Sequence, residues 1–375
     1  MNQSNPFTYG IAVKNKNFFD RTNECKRIID TLASGNNLVL YAPRRFGKTS
    51  LVFRAIEELE SKGFVCIYFD MMRAFSVETF VDFYSKAIAV KQNSLQNFFR
   101  IFSETVRSIR PVLSTDEFGT PEFSIDFARS VVDLNNLIEI LELPQKIANE
   151  RKKILVFFDE FQEIEKFEKF NFEKILRSVV QQQSNVNYLF FGSKTHILKN
   201  MFCNKNRAFY ESSSQMTIGY LPDDETIVFL QSNFAKKDIN LSDETAKYLI
   251  EKAAQIPHYI QLLASELWNM LDKNATVELV NIDDCVLKII EMKNDYYLEL
   301  FTNQSNSKKL LLLAITQDGK NIFSENYKKK YNLPNSSTLQ TSVKGLLDNG
   351  IIDKKEDMYF ICDPLFKIFL NNTLK

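Results

Sequence analysis

The sequence is poor in the residues that bind metals or cross-link a chain. Its 375 residues include two histidines and five cysteines. The cysteines (Cys25, Cys66, Cys203, Cys285, Cys362) are scattered, with no Cys-x-x-Cys pair. That spacing argues against a zinc site, and the cysteines read as reduced thiols of a cytoplasmic protein. Net charge is lacking as well. Lys and Arg total 47, and so do Asp and Glu, so no global field favours nucleic acid or membrane, and any basic patch is local. No apolar run approaches the roughly 20 residues that span a bilayer. Met1-Asn2-Gln3-Ser4-Asn5-Pro6 does not lead from a basic stretch into an apolar one, so no secretory leader is read here.

Phenylalanine, by contrast, is abundant at 33 residues, within an ordinary soluble composition of 45% apolar and 25% charged residues. The core is therefore expected to be aromatic, and the length predicts two or three domains.

The most informative stretch runs from Asn37 to Ser50. Leu38-Val39-Leu40-Tyr41 reads as a short buried strand, Ala42-Pro43-Arg44-Arg45-Phe46-Gly47 as a loop, and Lys48-Thr49-Ser50 as the start of a helix. This order suits a phosphate cradle: backbone N–H groups turn inward, and the helix aims its positive end at the anion. Gly47 lets the backbone approach a phosphate without a Cβ. Lys48 places a charge on β/γ oxygens, and the Thr49 hydroxyl suits Mg²⁺. Ala42 replaces the first glycine of Gly-x-x-x-x-Gly-Lys-[Ser/Thr]; because Ala resists positive φ, position 42 is expected to avoid it.

A second signal is Ile154-Leu155-Val156-Phe157-Phe158 running into Asp159-Glu160. A wholly apolar run suits a central parallel strand covered on both faces. Acids at its carboxyl end lie where open α/β sheets bind ligands. Asp159 is assigned to Mg²⁺ and Glu160 to polarising a water. Phe64–Phe69, another strand ending at Asp70, and the helical stripes on either side of it give the βαβ rhythm of an α/β fold.

In the lead-in, Asp20 or Thr22 is expected to cap a helix that Gly35 ends. Phe18, Phe19 and Arg21 either lie against an adenine or simply pack that helix. Residues 91–150 read as two helical patterns around a hairpin or loop between Pro111 and Pro121. Asn187–Gly192 is a further strand, ending at Ser193.

Asn5-Pro6-Phe7-Thr8-Tyr9-Gly10, Phe18 to Glu24, Ala42 to Thr49, Asp159-Glu160-Phe161-Gln162, Phe190-Phe191-Gly192-Ser193 and Arg207-Ala208-Phe209-Tyr210 together resemble a family of prokaryotic P-loop ATPases first described from archaea. The family belongs to the STAND branch, near the AAA+ and origin-recognition ATPases. The resemblance spans nearly the whole chain, and the family tolerates Ala at position 42. It implies ATP and Mg²⁺, a P-loop NTPase core with a parallel sheet, an α-helical lid and a C-terminal winged helix. Ser193 falls at the γ-phosphate sensor position, or it caps the helix from Lys194 onward, and the two roles are compatible. Arg207 is either an arginine finger for a neighbouring subunit or a surface residue beside Phe209 and Tyr210 anchoring the loop. Gln255-Ile256-Pro257-His258 replaces a Gly-x-Pro of related lids, and His258 reads as a helix-start residue rather than a phosphate sensor.

The expected division is an ATPase core over 1–218 with a helical insertion at 91–150, a lid over 219–300 and a winged helix over 301–375. In the winged helix, Ser337, Thr338, Gln340, Thr341 and Lys344 face outward from the third helix. Lys328-Lys329-Lys330 and Lys354-Lys355 are candidates for phosphate contact. Two functions follow. One is an ATP-driven conformational switch that recruits an unknown protein partner or self-associates. The other is an ATPase that holds duplex DNA through the winged helix. A small-molecule kinase fits less well, because Glu160 beside Asp159 suits water activation.

Overall fold

A computed structural model describes residues 4–10, 21–115, 121–127, 133–149 and 152–373. Phe18, Phe19 and Asp20 lie outside the described residues. The chain divides into two compact units. A sheet unit comprises Arg21–Ala42 and Leu51–Ile218, and a helical unit comprises Met1–Asp20, Pro43–Ser50 and Gly219–Lys375. Among the described residues no helix is long and apolar enough to cross a membrane.

The sheet unit begins with α1 (Thr22–Ala33), which buries Cys25, Ile28, Ile29 and Leu32 along one face. Its start corrects the expected cap: Thr22 is already helical, and Arg21 stands at the N-cap with φ 66 and no side-chain cap. Gly35, at φ 85, ends the helix as expected. There follow β1 (Leu38–Tyr41), α2 (Lys48–Ser61), β2 (Val65–Asp70), α3 (Val77–Val90), α4 (Leu95–Thr105), β3 (Pro111–Thr115), β4 (Pro121–Ile125), α5 (Leu134–Ile147), β5 (Ile154–Asp159), α6 (Phe172–Gln182), β6 (Val186–Gly192), α7 (Thr195–Cys203) and β7 (Ser214–Thr217). β3 and β4 form an antiparallel hairpin.

Five strands make a parallel sheet in the order β2-β5-β6-β1-β7. Parallel pairing brings every carboxyl end to one edge. Tyr41, Asp159 and Gly192 therefore end neighbouring strands on the side where such sheets bind ligands. β5 is buried at all six residues, which is why its sequence carries no polar alternation.

The phenylalanine excess goes into this core. Phe158, Tyr188 and Phe190 stack nearly parallel, with centroids 5.7–6.1 Å apart. Phe161, Phe202 and Phe209 close around Phe190 at 4.6, 5.4 and 5.1 Å. Such ring pairs contribute about 0.5–1.5 kcal/mol each beyond their burial.

The helical unit contains α8 (Asp223–Phe234), α9 (Asp243–Lys252), α10 (Pro257–Met270), α11 (Leu279–Met292) and α12 (Asn294–Thr302). The N-terminal Asn-Pro-Phe string is a pin on these helices. Phe7 is buried against Phe229, Phe234 and Trp268. The Asn5 amide donates to the Ser265 carbonyl and hydroxyl at 3.1 and 3.0 Å. Then come α13 (Asn306–Gln317), α14 (Glu325–Lys330), α15 (Ser336–Asp348), the antiparallel hairpin β8 (Ile352–Lys355)–β9 (Met358–Ile361) and α16 (Pro364–Thr373). Three helices and a two-stranded wing are the expected winged-helix order. α15 buries Leu339, Ser342, Val343 and Leu346, while Ser337, Thr338, Gln340, Thr341 and Lys344 are exposed.

Candidate nucleotide site and its acidic strand

The phosphate loop lies where β1 hands over to α2. Ala42 avoids the left-handed region, as its Cβ requires; the loop turns instead through Arg45 at φ 71 and Gly47 at φ 77. A Cβ built on Gly47 meets nothing within 4 Å, so the conformation, rather than crowding, selects glycine there. Lys48 opens a helix of 14 residues. Lys48 and Ser50 are buried, Pro43 and Thr49 are half-buried, and Arg44 and Arg45 are exposed. Phe46 is buried, its ring 5.3 Å from that of Tyr220. A left-handed turn running into a long helix is a cradle that phosphate oxygens fit.

Both loop arginines meet the C-terminal domain within the helical unit. Arg45 Nη1 is 3.1 Å from Asp363 Oδ2, and its guanidinium lies over the Tyr259 ring at 4.9 Å. Its carbonyl accepts the His258 N–H at 3.3 Å. Arg44 approaches Gly350, just beyond α15, where a Cβ would stand 3.3 Å from its Nη1. Asp363 also accepts the Tyr297 hydroxyl at 3.2 Å, and its Oδ1 accepts the Leu365 and Phe366 N–H groups at the start of α16. Burial, then the Arg45 and Lys293 charges, push His258 down to about 4 against a partly opposing Asp363. Burial likewise lowers Lys293. Sequence reading missed Asp363 because nothing local marks it.

At the carboxyl end of β5, Asp159 is buried and both of its oxygens take donors. Tyr68 on the adjacent β2 donates its hydroxyl to Oδ2 at 2.6 Å, and the Glu160 N–H donates to Oδ1 at 2.8 Å. Burial and the Asp159 charge push the Tyr68 phenol well above its ordinary range, so it stays a donor. Tyr68 was not singled out from the sequence; its place in the β2–β5 register is what delivers it. Glu160 is left-handed at φ 47. Its Oε2 accepts the Ser193 N–H at 3.0 Å, the Ser193 hydroxyl at 2.8 Å and the Gln162 amide at 2.5 Å. Ser193 thus faces Glu160, and the N-cap of α7 is Lys194 without a side-chain cap. The N-cap of that helix therefore falls one residue beyond Ser193, where the cap was expected.

Among the described residues no group of three or more His, Cys, Asp or Glu side chains forms a metal cage. Mg²⁺ with a nucleotide needs no such cage, since one or two protein oxygens complete a shell of phosphate and water oxygens. The Thr49 hydroxyl and, separately, the Asp159 carboxylate are oxygen donors of the hard kind that Mg²⁺ takes.

Other candidates are engaged locally. Arg21 is buried and pairs with Glu24 at 3.3 Å. Arg207 bridges Glu173 at 2.6 Å and Glu165 at 2.9 Å, beside the buried Phe209. Tyr210 itself is exposed. His258 is the second residue of α10, and Gln255 adopts φ 57, the conformation a glycine there would favour. In the winged helix, Lys328 is buried against Glu325 at 2.5 Å and the Ser336 hydroxyl at 2.9 Å, which removes it from the phosphate-contact set. Lys329, Lys330, Lys354 and Lys355 are exposed; Lys355 lies over the Tyr220 ring at 4.9 Å.

A family model for an ATPase domain found predominantly in Archaea matches residues 18–191. A model for a probable winged-helix domain matches residues 295–372. No curated protein matches the sequence. Among solved structures the chain is similar to the Walker-type ATPase of Pyrococcus abyssi, at 16% identity and TM-score 0.64, over 96% of this chain and 97% of that one. It is also similar to the ORC2 protein of Aeropyrum pernix, solved in ADPNP–ADP complexes, at 12% identity and TM-score 0.53, over 96% of each chain. At these identities the likeness shows a shared fold.

Proposed function

We propose, for a chain that joins an archaeal-type P-loop ATPase domain to a C-terminal winged helix, an ATP-dependent conformational switch of the STAND kind that recruits a partner. The loop from Ala42 to Ser50 binds the phosphates of ATP, with Lys48 as the cation on the β/γ oxygens. Mg²⁺, held by Thr49 and Asp159, would offset charge on those oxygens. Glu160 orients and polarises the attacking water. The nucleotide bound to the A. pernix relative supports nucleotide as the ligand.

The observation that carries the switch is the ion pair between Arg45 of the loop and Asp363 at the head of α16. A loop arginine that turns to phosphate must leave that carboxylate. Nucleotide binding then loosens the winged helix and bares a surface for a protein partner or a second copy. Hydrolysis restores the pair and is slow. The test is ATP binding, turnover and limited proteolysis for wild type, Lys48→Ala and Glu160→Gln, without DNA. Wild type should bind, Lys48→Ala should not, and Glu160→Gln should bind without turnover while keeping the ATP-dependent cleavage pattern. Wild type that fails to bind ATP overturns the proposal.

A second reading, an ATPase that holds duplex DNA, draws on the polar outer face of α15 and the exposed Lys329, Lys330, Lys344 and Lys354. Phosphate contacts should then weaken binding by about 0.9 log units each per decade of salt. Absent or salt-insensitive binding rejects it.

A further inference from the structure

We propose that Gln162 is a positioning residue for Glu160, a reading that rests on Glu160 as the carboxylate that activates water. Three donors converge on one carboxylate oxygen of Glu160: the N–H and hydroxyl of Ser193, and Nε2 of Gln162. They come from both sides. Gln162 lies in the 3₁₀ segment Phe161–Phe170 that follows β5, and Ser193 follows β6. Gathering the donors at Oε2 fixes the carboxylate plane, and with it the direction in which the other oxygen meets a water. A base needs that geometry before its proton affinity matters.

Two observations separate this from ordinary packing. Gln162 is 3% exposed, and its Oε1 is buried without a hydrogen-bond partner. A glutamine kept only for fit would satisfy both ends of its amide or give way to an apolar residue. Turning the amide over would set Oε1 against the carboxylate oxygen, so Glu160 holds the amide in the orientation that orphans Oε1. The chain also makes room for that orientation. A Cβ on Gly192 would stand 2.0 Å from Gln162 Oε1, so the glycine before Ser193 is where the amide lies. Glu160 is itself in the left-handed region at φ 47.

The experiment compares wild type, Gln162→Met, Gln162→Asn and Glu160→Gln for ATP affinity, kcat and Tm in the full chain. Gln162→Met keeps length and removes both the donor and the orphaned acceptor. Gln162→Asn keeps the amide but withdraws it by one methylene. Both should lower kcat by about 10- to 100-fold, a fraction of what a placed base supplies. ATP affinity should stay within about 2-fold of wild type, and the Tm of Gln162→Met should be unchanged or higher. A purely structural glutamine would move Tm and leave kcat. If either glutamine variant folds and turns over at the wild-type rate while Glu160→Gln is inactive, the proposal is overturned and the ATPase reading stands. If Glu160→Gln itself turns over normally, the reading and the proposal both fall.

Discussion

Arg45 and Asp363 stand 318 positions apart and meet at 3.1 Å. The arginine belongs to the Ala42–Ser50 loop, and the aspartate accepts two N–H groups at the head of α16, so one ion pair joins the proposed nucleotide loop to the last helix. Asp363→Asn keeps the acceptor at that helix start and removes the charge. It should loosen the winged helix without nucleotide and tighten ATP binding by up to about 5-fold, the scale of one partly exposed pair. Proteolysis of the nucleotide-free protein and an ATP binding isotherm check both.

Tyr68→Phe leaves the ring in β2 and removes the donor to Asp159 Oδ2. A hydrogen bond to a charged group is worth about 1.5–3 kcal/mol, and stability should fall within that range. The Mg²⁺ concentration needed for half-maximal nucleotide binding should rise several-fold, because the carboxylate is no longer held. Denaturant unfolding and a Mg²⁺ titration separate the two effects.

Arg207→Ala should destabilise the sheet unit by about 1–2 kcal/mol, by freeing Glu165 and Glu173. Turnover per folded molecule should change little. An arginine finger acting in trans would instead cost about 10³–10⁵ in rate. Steady-state turnover measured beside thermal unfolding distinguishes the roles.

One pH dependence of stability comes from His258. Its folded value is depressed to about 4 from an ordinary 6.5, by burial and then by Arg45 and Lys293. The unfolded chain therefore binds the extra proton first as pH falls. The histidine's contribution is whole above about pH 6.5 and is lost progressively toward pH 4. Unfolding curves of wild type and His258→Gln should converge as pH falls through that window. Parallel curves would contradict the assignment.

The β1–α2 loop and β5 were legible because their signals are local: an apolar run, a glycine at a left-handed turn, and two acids at a strand end. The exposed face of α15 was legible from periodicity alone. The start of α1 was not, since Arg21 stands at its N-cap in a left-handed conformation without the expected side-chain cap. Neither was β7, where Ser214-Gln215-Met216-Thr217 buries one residue and owes its strand to pairing with β1. Lys328 looked like one of three equivalent lysines, but the fold of α14 against Ser336 buries it. Tyr68 and Asp363 depend on which strands and helices become neighbours, and no spacing in the sequence encodes that; Gln162 stood in the string Asp159-Glu160-Phe161-Gln162, two residues from the carboxylate it meets.

The most direct measurement is amide hydrogen exchange across β8, β9 and α16, with and without ATP and Mg²⁺, in wild type and Lys48→Ala. Nucleotide should speed exchange at Pro364–Thr373 in wild type and leave Lys48→Ala unchanged. ATP that binds tightly while exchange in α16 stays the same would contradict a switch built on Arg45 and Asp363.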